Sequence, residues 1–217
     1  MLINDLIKGN KKFREVRFSK YETDLKQLSK EGQNPDILFI GCSDSRVTPE
    51  LVLDTRPGDM FTLRNVGNFV PPYNPDKDFH GTSAVIEYAV NVLEVKHIIV
   101  CGHSHCGACK SLYQDLGDSP DLINVKKWLE LGKKAKEYTL LAKKKKNDKE
   151  QLYRTTEKVS IVYQMENLLT FPYIVRRIKE GTLQIHGWYY KIENGSIEFY
   201  DGSDCTFKPL EEFRNEL

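Results

Sequence analysis

The sequence predicts an α/β fold, in which a central, mostly parallel β-sheet is flanked by helices, follows an N-terminal helical arm and ends in a C-terminal antiparallel hairpin. Two uninterrupted apolar runs, DILFIGC and HIIVCGH, are typical of parallel strands buried on both faces. A segment with helical apolar spacing, GTSAVIEYAVNVLEV, lies between them. Near the C-terminus, two further apolar segments flank Asn194-Gly195, a dipeptide that favours a hairpin turn. Strands that alternate with helices indicate a layered α/β sheet, and we interpret residues 1–217 as a single domain.

The elements follow in order along the chain. Apolar residues at helical spacing near the start, from Leu2 to Ile7, predict the arm over residues 1–30, and GQNP at 32–35 breaks this helix. The helix at 81–95 is expected to begin with Thr82 or Ser83 as its N-cap. The other predicted elements are strands over 36–42, 59–65 and 97–103, a helix from about Gly107, two amphipathic helices within 161–181 of which the second begins at Pro172 and ends at Gly181, and hairpin strands over 183–192 and 196–200.

Composition narrows the possible partners. The net charge of +1 and a 40% hydrophobic content fit one globular domain and give no strong field for nucleic acid or membrane surfaces. Residues 131–149 contain eight lysines but few aromatics, so a solvated surface is favoured over a nucleic-acid patch. The sequence contains no run of 18 apolar residues and no signal-peptide pattern, so we expect no membrane contact and a cytoplasmic location. Five cysteines in such a chain favour metal binding or catalysis over a disulfide framework.

Cysteines and histidines lie where two predicted strands end. Cys42 ends the first strand, His103 ends the third, and Cys106 follows three residues later. Ligands in open parallel sheets bind outside the carboxyl ends of the strands, so these three side chains are expected to meet despite the 61 residues between Cys42 and His103. Two thiolates and one imidazole are ligands that zinc prefers, and three protein ligands leave the open position of a catalytic zinc.

The remaining cysteines and histidines carry weaker signals. Cys101, Cys109 and Cys205 are interpreted as small buried hydrophobes. His105 is expected to be solvated or hydrogen-bonded rather than a metal ligand. The isolated histidines, His80, His97 and His186, suggest no role.

Asp44 and Arg46 lie just beyond Cys42. The carboxylate could close the fourth metal position, or it could pair with Arg46 in a charge-assisted contact that keeps it ionised and off the metal. The alternative without a function is a surface salt bridge that contributes little to the stability of the fold. Their place at the strand end favours a catalytic pair.

The motifs CSDSRV and HSHCGAC, together with RNVGNFVPPY and GTSAVIEYAV between them, resemble the β-class carbonic anhydrases over roughly residues 33–116. This resemblance implies a zinc lyase, carbonate dehydratase, in which Cys42, His103 and Cys106 bind Zn²⁺ and Asp44 and Arg46 form a catalytic dyad. It implies reversible hydration of carbon dioxide to bicarbonate and a proton by attack of a zinc-bound hydroxide. It also implies a homodimer or a dimer-based tetramer, with the arm at 1–30 used in dimerisation.

The resemblance further implies a substrate pocket that holds carbon dioxide or bicarbonate, formed by Gln33, Phe61, Val66, Tyr88 and backbone near Gly107. Apolar walls with one or two donors suit a small, weakly polar molecule. Phe39 stands where bicarbonate-inhibited members have tryptophan, which implies the subgroup without bicarbonate inhibition, although Arg64 leaves a bicarbonate site open.

Two thiolates cancel the formal charge of the zinc, so we expect a less acidic bound water than at a three-histidine site.

Two other functions remain open on sequence grounds. Cys106-Gly-Ala-Cys109 is a CxxC at a strand-to-helix turn, the setting of dithiol oxidoreductases, although that function would leave Cys42, Asp44 and Arg46 without a role. A zinc hydrolase of carbon disulfide or carbonyl sulfide would use the same metal site, and only access to the pocket would distinguish it.

Overall fold

A six-stranded sheet forms the centre of the computed structural model, which describes residues 2–76, 78–142 and 148–214. Its strands are β1 Ile37–Cys42, β2 Met60–Asn65, β3 His97–His103, β4 Gln184–Tyr190, β5 Ile197–Asp201 and β6 Thr206–Pro209. Their order across the sheet is β2-β1-β3-β4-β5-β6. The pairs among β2, β1, β3 and β4 are parallel, whereas β5 and β6 run antiparallel to their neighbours. The predicted mostly parallel sheet and hairpin are confirmed, and β6 is an additional strand that the sequence did not predict.

The helices lie between the strands and at the N-terminus. They are α1 Ile3–Lys12, α2 Phe18–Glu31, α3 Pro49–Val52, α4 Gly81–Asn91, α5 Gly107–Ser111, α6 Ile123–Leu129, α7 Lys133–Ala142, α8 Lys149–Leu168 and α9 Pro172–Lys179. The break after α2 is confirmed: Gly32 adopts the positive φ of 84° that glycine tolerates. Gly181, also at positive φ, follows α9 as predicted.

Three helix boundaries differ from the prediction, and one of them is the end of α4, which stops at Asn91 rather than at residue 95. The α4 helix begins at Gly81 with His80 as its N-cap and no side-chain cap, so Thr82 and Ser83 lie inside its first turn. The hydroxyl of Thr82 accepts a hydrogen bond from Asn65 Nδ2 at 3.3 Å. The α8 helix begins well before the apolar pattern at 161, since the Asp148 side chain caps its first turn by accepting from Gln151 N at 2.9 Å.

The register of the parallel strands aligns their carboxyl ends. Cys42 pairs with Asn65 of β2, and Gly41 pairs with Cys101 of β3. The turns after β1, β2 and β3 therefore leave the sheet at the same edge, and the predicted ligands lie at or just beyond the ends of β1 and β3.

Apolar side chains cover both faces of the sheet centre, which explains its uninterrupted apolar runs. On one face, Leu38 and Ile40 of β1 are fully buried against Ile86 of α4 and Ile161 of α8. On the other face, Phe39, Ile99 and Cys101 form a smaller buried cluster beside Trp188. Burial of this apolar surface stabilises the central strands and holds their ends in place.

The N-terminal arm has a different character. Residues Phe13–Arg17 form a π-helical turn between α1 and α2. In the described part of the chain, no residue of α1 is buried, and Leu2, Ile3 and Ile7 are 74%, 70% and 63% exposed. These side chains therefore do not cover the core of their own chain.

The lysine-rich segment and the apolar character of the helices bear on possible partners. The basic run Lys143–Lys146 lies outside the described residues. Among the helices that are described, none combines the length and the apolar character needed to span a membrane.

Candidate metal centre

Three side chains that could bind a metal meet at the carboxyl edge of the sheet. Cys42 ends β1, His103 ends β3, and Cys106 directly precedes α5. Their ligand atoms all lie within 4.8 Å of one another, and all three residues are buried. A search of residues 2–76, 78–142 and 148–214 for three or more histidine, cysteine or acidic side chains close enough to share a metal ion finds this group. The predicted meeting of Cys42, His103 and Cys106 is therefore found in a single chain.

The imidazole of His103 is oriented toward this cluster. Its Nδ1 lies 2.9 Å from the carbonyl oxygen of Ser104, which can only accept, so Nδ1 carries the proton and Nε2 presents a lone pair. Nε2 is buried and has no hydrogen-bond partner among the described residues. Buried polar atoms without a partner are costly, and a metal cation would satisfy this one.

The two thiols also fit a cation. The neighbouring Cys106 thiol and burial raise the pKa of Cys42 to about 12. The neighbouring Cys109 thiol is the main cause of a raised pKa at Cys106. Metal coordination reverses this preference because thiolates are the bound form. The backbone N–H of Gly67 donates to Cys42 Sγ at 3.4 Å, a contact that favours charge on the sulfur.

Asp44 and Arg46 form a close pair beside the cluster. Arg46 Nε donates to Asp44 Oδ1 at 2.9 Å and Nη2 donates to Oδ2 at 2.7 Å. The backbone N–H of Arg46 also donates to Oδ1, at 3.0 Å. These bonds hold the pKa of the Asp44 carboxyl well below its usual range, so it is ionised at neutral pH. The same guanidinium reaches the His105 carbonyl at 3.0 Å, which joins the two ligand-bearing turns.

Arg64 braces the turn that follows β1. Its Nε donates to the carbonyl of Cys42 at 2.9 Å, and its Nη2 donates to the carbonyl of Asp44 at 2.7 Å. These bonds fix the backbone on both sides of Ser43. The sequence suggested Arg64 only as a bicarbonate ligand, whereas in this structure its guanidinium holds the turn after β1.

The five predicted pocket residues fall into two groups. Val66 directly follows Asn65, the partner of Cys42 in the sheet, and Gly107 directly follows Cys106, so both lie at the metal edge. Gln33 precedes the amino end of β1, and Phe61 pairs with Leu38 near that same end. Phe61 is four residues from Asn65, or about 13 Å along an extended strand. Within one chain, Gln33 and Phe61 therefore lie away from the metal cluster.

Tyr88 belongs to the second group. Its ring lies 5.8 Å from that of Phe61, centroid to centroid. Tyr88 is 45% exposed, and Val66, in the first group, is 46% exposed. Each group thus presents accessible apolar surface at its own location.

The other cysteines and histidines mostly follow the sequence interpretation. Cys101 and Cys109 are buried, but Cys205 is exposed, so its interpretation as a buried hydrophobe was wrong. Cys205 lies in the turn that joins β5 to β6, the outer strands at one edge of the sheet, so its side chain is on the surface. His105 is exposed, with its Nε2 3.9 Å from Glu193 Oε2. Outside the cluster, His80 contacts Asp76, and His97 Nδ1 lies 3.1 Å from His186 Nε2.

One residue near the site was not identified from the sequence. Glu157 of α8 is 2% exposed and accepts a hydrogen bond from the backbone N–H of Cys106 at 3.0 Å. A signal existed, because Glu157 lies on the same helical face as the buried Ser160, Ile161 and Gln164. An acidic residue that shares a helix face with Ile161 and Leu168 indicates a buried partner.

Comparison with known proteins agrees with this geometry. The family model described as "Carbonic anhydrase" matches residues 37–197. A carbonic anhydrase of Synechocystis is 43% identical over 197 residues, which cover 91% of this chain and 70% of that protein. Carbonic anhydrase 1 of Escherichia coli is 39% identical over 210 residues, covering 96% of this chain and 92% of that protein.

Solved structures show the same fold. The structure of the beta-carbonic anhydrase CcaA superposes with a TM-score of 0.89 at 41% sequence identity, covering 95% of this chain and 98% of that one. A tetrameric beta-carbonic anhydrase from the ascomycete Sordaria macrospora gives a TM-score of 0.79 at 31% identity, over 90% of this chain and 95% of that one. By its motifs, its fold and these relatives, the chain belongs to the β-carbonic anhydrase family.

Proposed function

We propose that this protein catalyses the reversible hydration of carbon dioxide to bicarbonate and a proton at a zinc ion held by Cys42, His103 and Cys106. The observation that carries the proposal is the convergence of these three ligands beside the Asp44–Arg46 pair. Two sulfurs and one nitrogen suit zinc among the common metals. When bound, zinc acts as a Lewis acid that lowers the pKa of a water molecule and so supplies a nucleophile near neutral pH.

Asp44 orients the nucleophile. Its ionised carboxylate can only accept, so it accepts the hydrogen bond of the attacking O–H and turns an oxygen lone pair toward the carbon. In the described residues, Oδ1 accepts two bonds from Arg46 and Oδ2 accepts one, so Oδ2 retains capacity for this contact. Arg46 holds the carboxylate in place and keeps it away from the metal.

The substrate pocket is built from two chains. Val66 and Gly107 lie at the metal edge, whereas Gln33, Phe61 and Tyr88 lie near the amino ends of β1 and β2. A second copy of the chain would bring its own Gln33, Phe61 and Tyr88 to the first chain's metal cluster. The aromatic rings then form an apolar wall, and the Gln33 amide donates to the developing carboxylate oxygens.

An oligomer is supported by two further observations. The exposed apolar side chains of α1 need a partner surface, and a second subunit provides one. A structural relative in Sordaria macrospora is tetrameric. We therefore propose a homodimer, or a tetramer built from such dimers, in which the arm at 1–30 packs against the neighbouring subunit. The cytoplasmic location favoured by the sequence stays a prediction, because some relatives are named as chloroplastic or mitochondrial.

Neither alternative function gains support. Cys106 of the CxxC contributes its thiol to the cluster with Cys42 and His103. A dithiol oxidoreductase requires a thiol with a lowered pKa, whereas the pKa of Cys106 is raised. The named relatives are carbonic anhydrases, so hydrolysis of carbon disulfide or carbonyl sulfide is not favoured over hydration of carbon dioxide.

Stopped-flow measurement of carbon dioxide hydration tests the proposal. The zinc-loaded protein is expected to accelerate hydration, a strong chelator to abolish that acceleration, and zinc to restore it. Because two thiolates lessen the charge on the metal, turnover is expected to rise as the pH increases above neutrality. A zinc-loaded protein without hydration activity would refute the function.

A further inference from the structure

A buried carboxylate lies directly behind one of the metal ligands. Glu157 Oε1 accepts from the backbone N–H of Cys106 and lies 3.0 Å from Arg154 Nη2. Its Oε2 accepts from the hydroxyl of Tyr189 at 2.8 Å. Glu157 and Tyr189 are each 2% exposed. The carboxylate thus joins α8, β4 and the turn that carries Cys106.

Three donors converge on the Glu157 carboxyl group, although burial raises its pKa to about 7. All three partners donate, and together they occupy both carboxylate oxygens. Removing a carboxylate from water is costly, and these bonds offset part of that cost. A buried carboxyl group held by three such partners has a defined position, so Oε1 is a rigid acceptor for the Cys106 N–H.

Cys106 depends on this acceptor for its backbone position. It precedes the first turn of α5 with extended dihedrals (φ −65°, ψ 119°), so its N–H points away from the helix. Its carbonyl accepts from Lys110 N at 3.0 Å inside α5. The carbonyl of Cys106 is held by α5 and its N–H by Glu157, and these two bonds orient the Cα–Cβ bond that carries the sulfur.

We propose that Glu157 is a positioning residue that sets Cys106 Sγ opposite Cys42 and His103 by accepting the Cys106 backbone N–H. The inference rests on the proposed function, since it concerns the same metal site. Groups that orient metal ligands affect metal affinity even though they do not touch the ion. Glu157 does not contact substrate in this role.

Ser160 provides a matched control on the same helix. It lies three residues beyond Glu157, is 1% exposed, and its hydroxyl has no hydrogen-bond partner among the described residues. Ser160→Ala therefore changes a buried polar side chain of α8 without altering the turn at Cys106.

The test measures zinc affinity by chelator competition on the zinc-loaded full chain, with circular dichroism and Tm as checks of folding. Glu157→Met keeps the length of the side chain but has no strong acceptor, so zinc affinity is expected to fall by about 10- to 100-fold. Glu157→Gln retains an amide oxygen for the Cys106 N–H and is expected to recover most of that affinity. Ser160→Ala is expected to match wild type. Zinc affinity in Glu157→Met equal to that of Ser160→Ala, or in Glu157→Gln as weak as in Glu157→Met, would overturn the proposal.

A second variant and a second measurement cover the case in which Glu157→Met does not fold. Glu157→Asp retains a carboxyl group but withdraws its oxygens by one methylene, so it is expected to weaken zinc binding. Wild-type zinc affinity in this variant contradicts the positioning role. In Co²⁺-loaded protein, thiolate-to-metal absorption is expected to change in Glu157→Asp and to stay unchanged in Ser160→Ala. Zinc affinity is read independently of turnover, so wild-type protein that binds zinc without hydrating carbon dioxide would refute the proposed function and leave this inference standing.

Discussion

Arg46 binds both carboxylate oxygens of Asp44, at 2.9 Å and 2.7 Å, although only Ser45 separates the two residues in sequence. The turn after β1 folds the guanidinium back over the carboxylate, and a further bond from Arg46 to the His105 carbonyl connects this pair to the turn after β3. The Asp44 side chain retains 16% exposure, so the carboxylate is held yet still reachable. This relationship makes Asp44 an ionised acceptor with a defined direction.

Asp44→Asn is expected to reduce kcat/KM for carbon dioxide hydration by about 10²- to 10⁴-fold, the range typical for loss of a positioned proton acceptor. The amide presents an NH₂ group to either Arg46 or the nucleophile and so loses one of the two contacts. Zinc content should remain at the wild-type level, because Asp44 is not among the converging ligands. Stopped-flow kinetics and elemental analysis measure the two quantities.

Asp36→Asn serves as the control for that substitution. Asp36 forms an ion pair with Lys96 at 2.8 Å on the surface, with 59% of its side chain exposed. Its removal should leave hydration unchanged. Near-wild-type turnover in Asp44→Asn would show that the pair beside the metal is only structural.

Cys42→Ser is expected to abolish stable zinc binding, because a serine hydroxyl does not replace a thiolate at such a site. The measurement is zinc content per chain after dialysis against buffer without chelator. Cys205→Ser is the control, since Cys205 is exposed and remote from the cluster; this variant should retain its zinc. A full complement of zinc in Cys42→Ser would mean that the metal is held elsewhere.

Mixed oligomers test the pocket built from two chains. Cys42→Ser removes the metal site, whereas the double variant Gln33→Ala/Tyr88→Ala removes the second pocket group, and each homo-oligomer should be inactive or nearly so. In a heterodimer of the two, one site combines an intact metal cluster with an intact Gln33 and Tyr88, so about half of the wild-type activity per dimer is expected. Heterodimers isolated with two different affinity tags provide the sample. Absence of recovery would place the whole pocket within one chain.

Acid should destabilise the fold through His186. Burial, reinforced by the neighbouring His97, lowers the pKa of His186 to about 4. An unfolded histidine has a pKa of about 6.5, so between these values the unfolded chain binds a proton that the folded chain does not. The free energy of unfolding should therefore fall as the pH decreases through this window, by about 2 to 3 kcal/mol from this residue.

Denaturant unfolding at pH 7 and pH 4.5 measures that effect. His186→Phe is expected to lose much of the difference between the two pH values, since its ring does not titrate. Phe213→Leu alters a ring that packs edge-on against His186, at 5.5 Å between centroids, but retains the imidazole, so it should keep the wild-type difference. An unchanged pH difference in His186→Phe would assign the acid sensitivity to other groups.

The sequence by itself predicted five of the six strands and the three side chains that meet at the edge of the sheet. Runs such as HIIVCGH are readable because a strand buried on both faces needs continuous apolar side chains, and the rule that parallel strands end at one edge brought Cys42 and His103 together. The signal for the hairpin around Asn194-Gly195 was also local, because the turn residues themselves favour the turn that pairs β4 with β5. These features depend on contacts close in sequence or on one general rule of topology.

Only the tertiary structure decided how the site is supported and divided. Neither Arg64 bonding to the Cys42 carbonyl nor Glu157 bonding to the Cys106 N–H could be predicted, because each contact depends on the exact placement of distant elements. The contact between Phe61 and Tyr88 likewise emerged only from the tertiary structure, because it joins β2 to α4. Local patterns specify which residues can bind a metal, whereas long-range packing specifies what holds them and which chain completes the pocket.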